Sequence, residues 1–191
     1  MSTPPNPPYP LHGTIVHRIN PEYRDYYNKH LIGRQVVHHQ SLVELRKSGI
    51  LITGAGPQLP VIALRISVPP VGGWPVVDWI HGGGWVLGNL DTEDVVASHL
   101  CNRAQAALIC VDYRLAPEHI YPAAVHDCWE VLLWSVSQGD KDGFNLDTTR
   151  IGLGGSSAGG NLALVLAQRA SSRPDISSIA VLILSLPVCD N

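Results

Sequence analysis

The rhythm of apolar and polar positions along this chain changes near residue 59. Residues 1 to 13 are proline-rich at their start and carry no periodicity, which predicts an irregular arm. Between residues 21 and 49 the pattern is polar and mixed. Tyr23, Tyr26, Tyr27, Leu31 and Val36 recur there at near-helical spacing, which predicts one or two helices. Gly54, Gly56 and Pro57 mark a turn. From Leu59 onward, short apolar runs alternate with amphipathic stretches. Strands are expected over Leu59–Pro69, Pro75–Ile80, Ala107–Tyr113, Arg150–Leu153 and Ser178–Leu186, with a turn over Pro69–Gly73. The first five residues of Ala107–Tyr113, before Asp112, are continuously apolar, as a parallel strand covered on both faces must be. Helices are expected over Thr92–Ala106 with Asp91 as N-cap, over Ala123–Ser137 with Pro122 near its start, and over about Ala158–Arg169.

Strands that alternate with helices imply right-handed βαβ units, hence an α/β fold with a doubly wound, mostly parallel sheet. Residues 1–55 are read as an N-terminal arm and helical part, and residues 56–191 as the sheet-bearing core. Function in such sheets lies at the carboxyl ends of the strands. One residue breaks the pattern. Asp78 interrupts a strand that should be apolar on both faces, and a buried carboxylate without a partner is costly. Asp78 therefore finds a partner or weakens the strand.

Bulk composition narrows the function classes. Of 191 residues, 45% are apolar and 15% charged, which suits a packed core and not a disordered chain. A formal net charge of −3 without a basic block counts against nucleic-acid binding. The longest apolar runs are strand-sized, so no membrane span is expected. The first ten residues lack the layout of a signal peptide, so a cytoplasmic location is expected. Cys101, Cys110, Cys128 and Cys189 form neither a CxxC pair nor a zinc pattern, and each lies in an apolar segment. They read as buried free thiols.

Two glycine-rich turns carry the chemistry. The segment Gly154-Gly155-Ser156-Ser157-Ala158-Gly159-Gly160-Asn161 contains G-x-S-x-G at Gly155 to Gly159. A serine at a tight strand-to-helix turn needs small residues two before and two after it, because strand and helix crowd the turn. Ser157 meets that condition; Ser156 has Ala158 at +2. A Walker loop is ruled out because no GK[ST] follows, and the glycines lack GxGxxG spacing. His81-Gly82-Gly83-Gly84-Trp85 supplies the second turn. Backbone N–H groups can hold the oxyanion of a tetrahedral intermediate if no side chain blocks them, and one such donor is worth about 3–4 kcal/mol. An HGGG loop followed by a GxSxG elbow is the arrangement of lipases and esterases. The 76 residues from His81 to Ser157 leave room for two strand–helix crossovers.

A third segment lies between them, Asp112-Tyr113-Arg114-Leu115-Ala116-Pro117-Glu118-His119 followed by Tyr121-Pro122-Ala123-Ala124. With HGGGW and GxSAGGN it resembles the hormone-sensitive-lipase type of α/β-hydrolase over roughly residues 59 to 190. The opening residues look most like fungal members, which often serve secondary metabolism. The resemblance implies a serine ester hydrolase acting on a small-molecule ester, with no metal and no cofactor. It implies Ser157 as nucleophile and an oxyanion-hole set of Gly82, Gly83, Gly84 and Ala158, in which Gly82 supports the loop, with His81 and Trp85 holding it. Asp112, Arg114 and Glu118 are then bracing residues, and residues 1–55 the first part of a cap. The family often has an acidic residue where this chain has Ser156.

A serine nucleophile needs a base and an orienting acid, and in this fold they come after it as Asp or Glu, then His. All nine histidines precede Ser157: His12, His17, His30, His38, His39, His81, His99, His119 and His126. The 34 residues after it contain Asp175 and Asp190 and no histidine. No triad acid or base is found, so the expectation is a C-terminally truncated enzyme, nearly inactive as it stands, with Val181–Leu186 an exposed apolar edge. The alternative is a family member that binds small molecules without catalysis, as hormone receptors of the family that have lost the histidine do.

Overall fold

The computed structural model describes residues 8, 10–33, 41–48, 70–137, 144–176 and 179–189. The expected turn at Gly54 to Pro57, the strand over Leu59–Pro69 and Asp190 lie outside them. The chain divides into two compact units, Met1–Ile50 and Leu51–Asn191.

The first unit contains the helices its spacing predicts. Helix α1 (Pro21–Tyr26) starts at Asn20, whose side chain accepts the N–H groups of Glu22 and Tyr23 at 2.8 and 3.4 Å. Pro21 at the first helical position loses no hydrogen bond, because that N–H would have no helical partner. A π-helical turn, Tyr27–Leu31, continues it, and α2 spans Leu42–Ser48.

The second unit is a four-stranded parallel sheet. Strands β1 (Trp74–Ile80), β2 (Ala107–Val111), β3 (Leu146–Ser156) and β4 (Val181–Ser185) lie in the order β2-β1-β3-β4. Helix α3 (Asp94–Ala104) connects β1 to β2, α4 (Ala123–Ser137) connects β2 to β3, and α5 (Ala158–Ala170) connects β3 to β4. The chain moves outward from β1 to β2, then crosses back to place β3 on the other side of β1. The direction of winding reverses between β1 and β3, the switch point where ligands bind in open α/β sheets.

Side chains of β1 alternate between two cores, as strand geometry requires. Val76 and Ile80 pack with Leu132 and Trp129 of α4 and Leu162 and Leu166 of α5. Val77 and Trp79 face the other layer, with Val96 and Leu100 of α3. Asp78 falls on the first of these faces and meets Ser135 of α4, whose hydroxyl donates to Asp78 Oδ1 at 2.8 Å. The expected partner therefore comes from 57 residues away. Asp78 Oδ2 has none. Burial raises the carboxyl to about 7 against a smaller opposing effect of the Ser135 hydrogen bond.

Several expectations need correction. Helix α3 does not begin at Thr92 under an Asp91 cap. A 3-10 turn, Leu90–Glu93, comes first, and Asn89 caps it: Asn89 and Thr92 exchange side-chain-to-backbone hydrogen bonds at 3.0 and 3.1 Å. Strand β3 is far longer than Arg150–Leu153. Its start, Leu146–Asp147, pairs with Trp74 and Pro75, and the register then shifts so that Val76 meets Ile151. The cysteines are free, but only Cys128 is buried; Cys101 and Cys110 are half-buried and Cys189 is exposed, because the chain has left the sheet there. Strand β4 stands at the sheet edge among the described strands, with Val181 and Leu182 46% and 39% exposed.

Asp78 makes stability depend on pH. Its folded pKa lies above the unfolded 3.8. Folding therefore favours the protonated form, and the contribution is full below about pH 4 and is lost as pH rises toward 7. Between pH 5 and 8 this loss amounts to about 2–3 kcal/mol. The urea midpoint of the native sequence should fall between these two pH values, and Asp78→Asn should remove that part of the decline.

Candidate active site

The expected site residues meet where β1 and β3 end side by side. Ile80 pairs with Gly155 and Trp79 with Gly154, so the turns after the two strands emerge as neighbours. At the end of β3 the chain turns through Ser157 with φ 51° and ψ −114°, a left-handed backbone on a residue that has a side chain. Such a conformation costs about 1–3 kcal/mol and persists only where surroundings over-determine it. Here three backbone hydrogen bonds do so. Ser157 N–H donates to the Ser185 carbonyl at 2.8 Å, and the Ser157 carbonyl accepts from Asn161 at 3.0 Å and from Val188 at 3.3 Å. The Asn161 side chain adds a tie to the same residue, donating to the Val188 carbonyl at 2.8 Å. Ser157 is the N-cap residue of α5, yet its hydroxyl makes no cap hydrogen bond.

Close backbone approach explains the glycine spacing. A Cβ on Gly155 would lie 2.5 Å from the Ile80 carbonyl oxygen, and one on Gly159 would fall on that same oxygen and on the His81 carbonyl. Either addition pushes the elbow away from β1.

The glycine loop comes directly after β1. Gly83 O accepts from Val86 and Leu87, closing a tight turn, and Ala116 N–H donates to Trp85 O at 3.0 Å. A Cβ on Gly82 would stand 3.5 Å from Ser157 Cβ, which measures how near the loop lies to the elbow. Gly84 has open space about it. The N–H groups of Gly83, Gly84 and Ala158 make no hydrogen bond to another described residue. Gly82 differs from them: its N–H donates to Glu93 Oε1 at 3.3 Å. Of these four N–H groups, that of Gly82 is thus already engaged.

His81 is 2% exposed. Its Nδ1 meets Gly82 O at 2.7 Å, its ring stacks on Tyr113 at 4.2 Å, and Tyr113 Oη donates to the His81 carbonyl at 3.1 Å. A carbonyl can only accept, so Nδ1 carries the proton. Nε2 has no hydrogen-bond partner and lies 3.9 Å from Asp112 Oδ1. Desolvation lowers the His81 pKa, against smaller opposing effects of the Gly82 hydrogen bond and of Asp112 and Glu93. The ring is thus neutral at pH 7, and no hydrogen bond joins it to Ser157. Arg114 braces its loop as expected: its N–H and guanidinium grip Asp127 of α4 at 2.7–3.1 Å. The hydrogen bond from Arg114 holds the Asp127 carboxyl below its usual range.

Sequence reasoning misses Glu93, which is 1% exposed and accepts hydrogen bonds from Trp79 Nε1 at 3.2 Å, Ser156 Oγ at 3.1 Å and Gly82. Its place in a polar stretch reads as solvated surface; the one available signal is that a buried Trp79 needs an acceptor. A cavity of about 410 Å³ opens beside the loop, lined by Gly84, Trp85, Tyr121, Leu162 and Val165 among others, though not by Ser157 itself. No group of three His, Cys, Asp or Glu side chains among the described residues is arranged to hold a metal.

A family model described as an alpha/beta hydrolase fold matches residues 77–191. An AB hydrolase superfamily protein of Schizosaccharomyces pombe is 36% identical over 95% of this chain and 60% of its own length. Carboxylesterase NlhH of Mycobacterium tuberculosis is 49% identical over 57% of this chain and 34% of its own. The crystal structure of esterase LipW from Mycobacterium marinum superposes with a TM-score of 0.69 at 30% identity, over 99% of this chain and 62% of that one. The chain thus spans about 60% or less of the length of these curated relatives.

Contact and conformation can be separated at two glycines. Gly159→Ala forces a Cβ into backbone and should cost about 3 kcal/mol, the upper end of the usual overpacking range. Gly84→Ala meets no atom within 4 Å but has φ +61°, so it should cost only the left-handed strain, about 1–2 kcal/mol. Urea unfolding midpoints measure both; equal losses would discard the close-approach account.

Proposed function

The chain belongs to the alpha/beta hydrolase fold family, and from that premise we propose that its protein is a serine carboxylic-ester hydrolase with Ser157 as nucleophile. One observation carries the reading. Ser157 is held in a left-handed turn with an uncapped hydroxyl, beside a glycine loop whose next N–H groups are open. The names of relatives, carboxylesterase and esterase among them, support the reaction class.

In this mechanism Ser157 Oγ attacks the carbonyl carbon of a small-molecule ester as its proton passes to a base. Negative charge develops on the former carbonyl oxygen, where the N–H groups of Gly83, Gly84 and Ala158 hold it. The amino end of α5 adds a favourable partial positive charge. The base passes that proton to the alkoxy oxygen as its bond to carbon breaks and the alcohol leaves, giving an acyl-enzyme that water hydrolyses by the same steps, releasing the acid and restoring Ser157. No metal or cofactor takes part. The neighbouring cavity falls within the range of small-ligand sites, about 300–1,000 Å³. Trp85, Leu162 and Val165 give it an apolar wall suited to the hydrocarbon part of a short or medium ester.

None of the described histidines is hydrogen-bonded to Ser157, so base and acid are assigned to sequence beyond these residues, in the order Asp or Glu, then His. Residues 1–55 as arm and partial cap, residues 56–191 as part of the hydrolase core, a cytoplasmic location and a role in fungal secondary metabolism belong to the same proposal. The S. pombe relative supports its fungal element. For location, the structure contributes only that no described helix is long and apolar enough to cross a membrane. The second reading, a binding protein without catalysis, is favoured by His81, whose ring makes no hydrogen bond to Ser157 and whose Nδ1 is held by the Gly82 carbonyl.

A fluorophosphonate probe on the full-length gene product separates them. The esterase reading expects labelling that Ser157→Ala abolishes, with loss of about a millionfold in turnover of an ester substrate. Labelling that survives Ser157→Ala overturns it, and saturable ligand binding without labelling favours the second reading.

A further inference from the structure

We infer that Glu93 is a positioning residue of the ester-hydrolysis site: its carboxylate ties the glycine loop to the nucleophile turn and fixes the distance between them. The inference rests on Ser157 as nucleophile.

The three groups that meet Glu93 come from three parts of the site. Gly82 N–H, at 3.3 Å from Oε1, belongs to the first glycine of the loop. Ser156 Oγ, at 3.1 Å from Oε2, directly precedes Ser157. Trp79 Nε1, at 3.2 Å from Oε2, belongs to β1, on which the loop is mounted. A 3-10 turn capped by Asn89 delivers the carboxylate beneath them. Burying it without partners would be prohibitive, and here every one of these neighbours is a donor.

That donor set demands a carboxylate. Gln has one accepting oxygen and one donating NH2 group. Turned with oxygen toward Gly82, its NH2 faces the Trp79 N–H; turned the other way, it faces the Gly82 N–H. The Ser156 hydroxyl can rotate to accept, but neither N–H can. Glu93→Gln, nearly the same in volume, must therefore leave one buried N–H unpaired and displace the loop or the indole. When Gly82 N–H is held, the next N–H groups, of Gly83 and Gly84, keep their direction toward the oxygen that becomes charged. That oxygen gains its charge in the transition state and the tetrahedral intermediate, not in the bound ester. Loss of the brace should therefore lower kcat and leave KM nearly unchanged.

The test uses the full-length protein, with active sites counted by fluorophosphonate labelling and kcat and KM expressed per labelled site. Glu93→Gln should lower kcat about 10- to 100-fold, the scale of a small misplacement in a catalytic site, with KM changed less than about threefold. Ser156→Ala, which removes one donor and adds no bulk, should lower kcat about two- to tenfold, and the two effects should not add. A merely structural role would reduce the number of labelled sites or the melting temperature without changing kcat per site. If Glu93→Gln yields no folded protein, Ser156→Ala decides alone, and an unchanged kcat overturns the inference. Labelled native protein with wild-type kcat in Glu93→Gln overturns this inference and leaves the esterase reading intact. Native protein that fails to label at Ser157 overturns both.

Discussion

Backbone packed directly on backbone, where β1 and β3 end, is the contact on which the rest of this structure depends. Ile80 and His81 present their carbonyls to the elbow, and Gly155 and Gly159 accommodate them because neither has a side chain. Parallel pairing of Ile80 with Gly155 sets the height of the two turns. The glycine loop and Ser157 can then meet without any side chain bridging the gap. Separation in sequence becomes contact in space because the strand order reverses between β1 and β3. The helices add the two apolar layers that keep the sheet in place.

Buried polar groups sit close to that contact, and each is handled differently. Asp78 has one partner and a carboxyl raised to about 7, so it is held partly by protonation. Glu93 has donors on both oxygens and is held by hydrogen bonds. His81 is held by stacking and by the carbonyl of its neighbour and stays neutral. The structure also accounts for Ser156, where the resembling family often has an acid. A second carboxylate at 3.1 Å from Glu93 would repel it, whereas a hydroxyl donates.

Legibility in the amino-acid sequence depends on whether a feature is decided locally or by distant partners. The G-x-S-x-G spacing and the run of glycines after His81 are legible because steric exclusion acts on the residues themselves. Alternation of apolar runs with amphipathic stretches locates β1, β2, β4 and the three core helices for the same reason. Features decided at a distance are hidden. Nothing local to Asp78 announces Ser135, and nothing in Leu90-Asp91-Thr92-Glu93 says that Glu93 turns inward while Asp91 does not. The start of β3 reads as a loop because its pairing with Trp74 and Pro75 is set by a register shift across the sheet. Cys189 reads as core because its segment is apolar, but a strand at the sheet edge gives little cover to the chain beyond it.

The backbone bonds that hold Ser157 also carry an order in time. Its N–H reaches forward to Ser185 and its carbonyl forward to Val188, both beyond the helix that the serine begins. On a ribosome the chain emerges amino end first. Until residues 185 and 188 are in place, the serine lacks two of the three backbone bonds that hold its left-handed turn. Only when β4 docks do these bonds become available to offset the strain. The strained turn at Ser157 thus depends on a segment that follows it by about thirty residues, and loosening β4 would release the serine without touching the helix it begins.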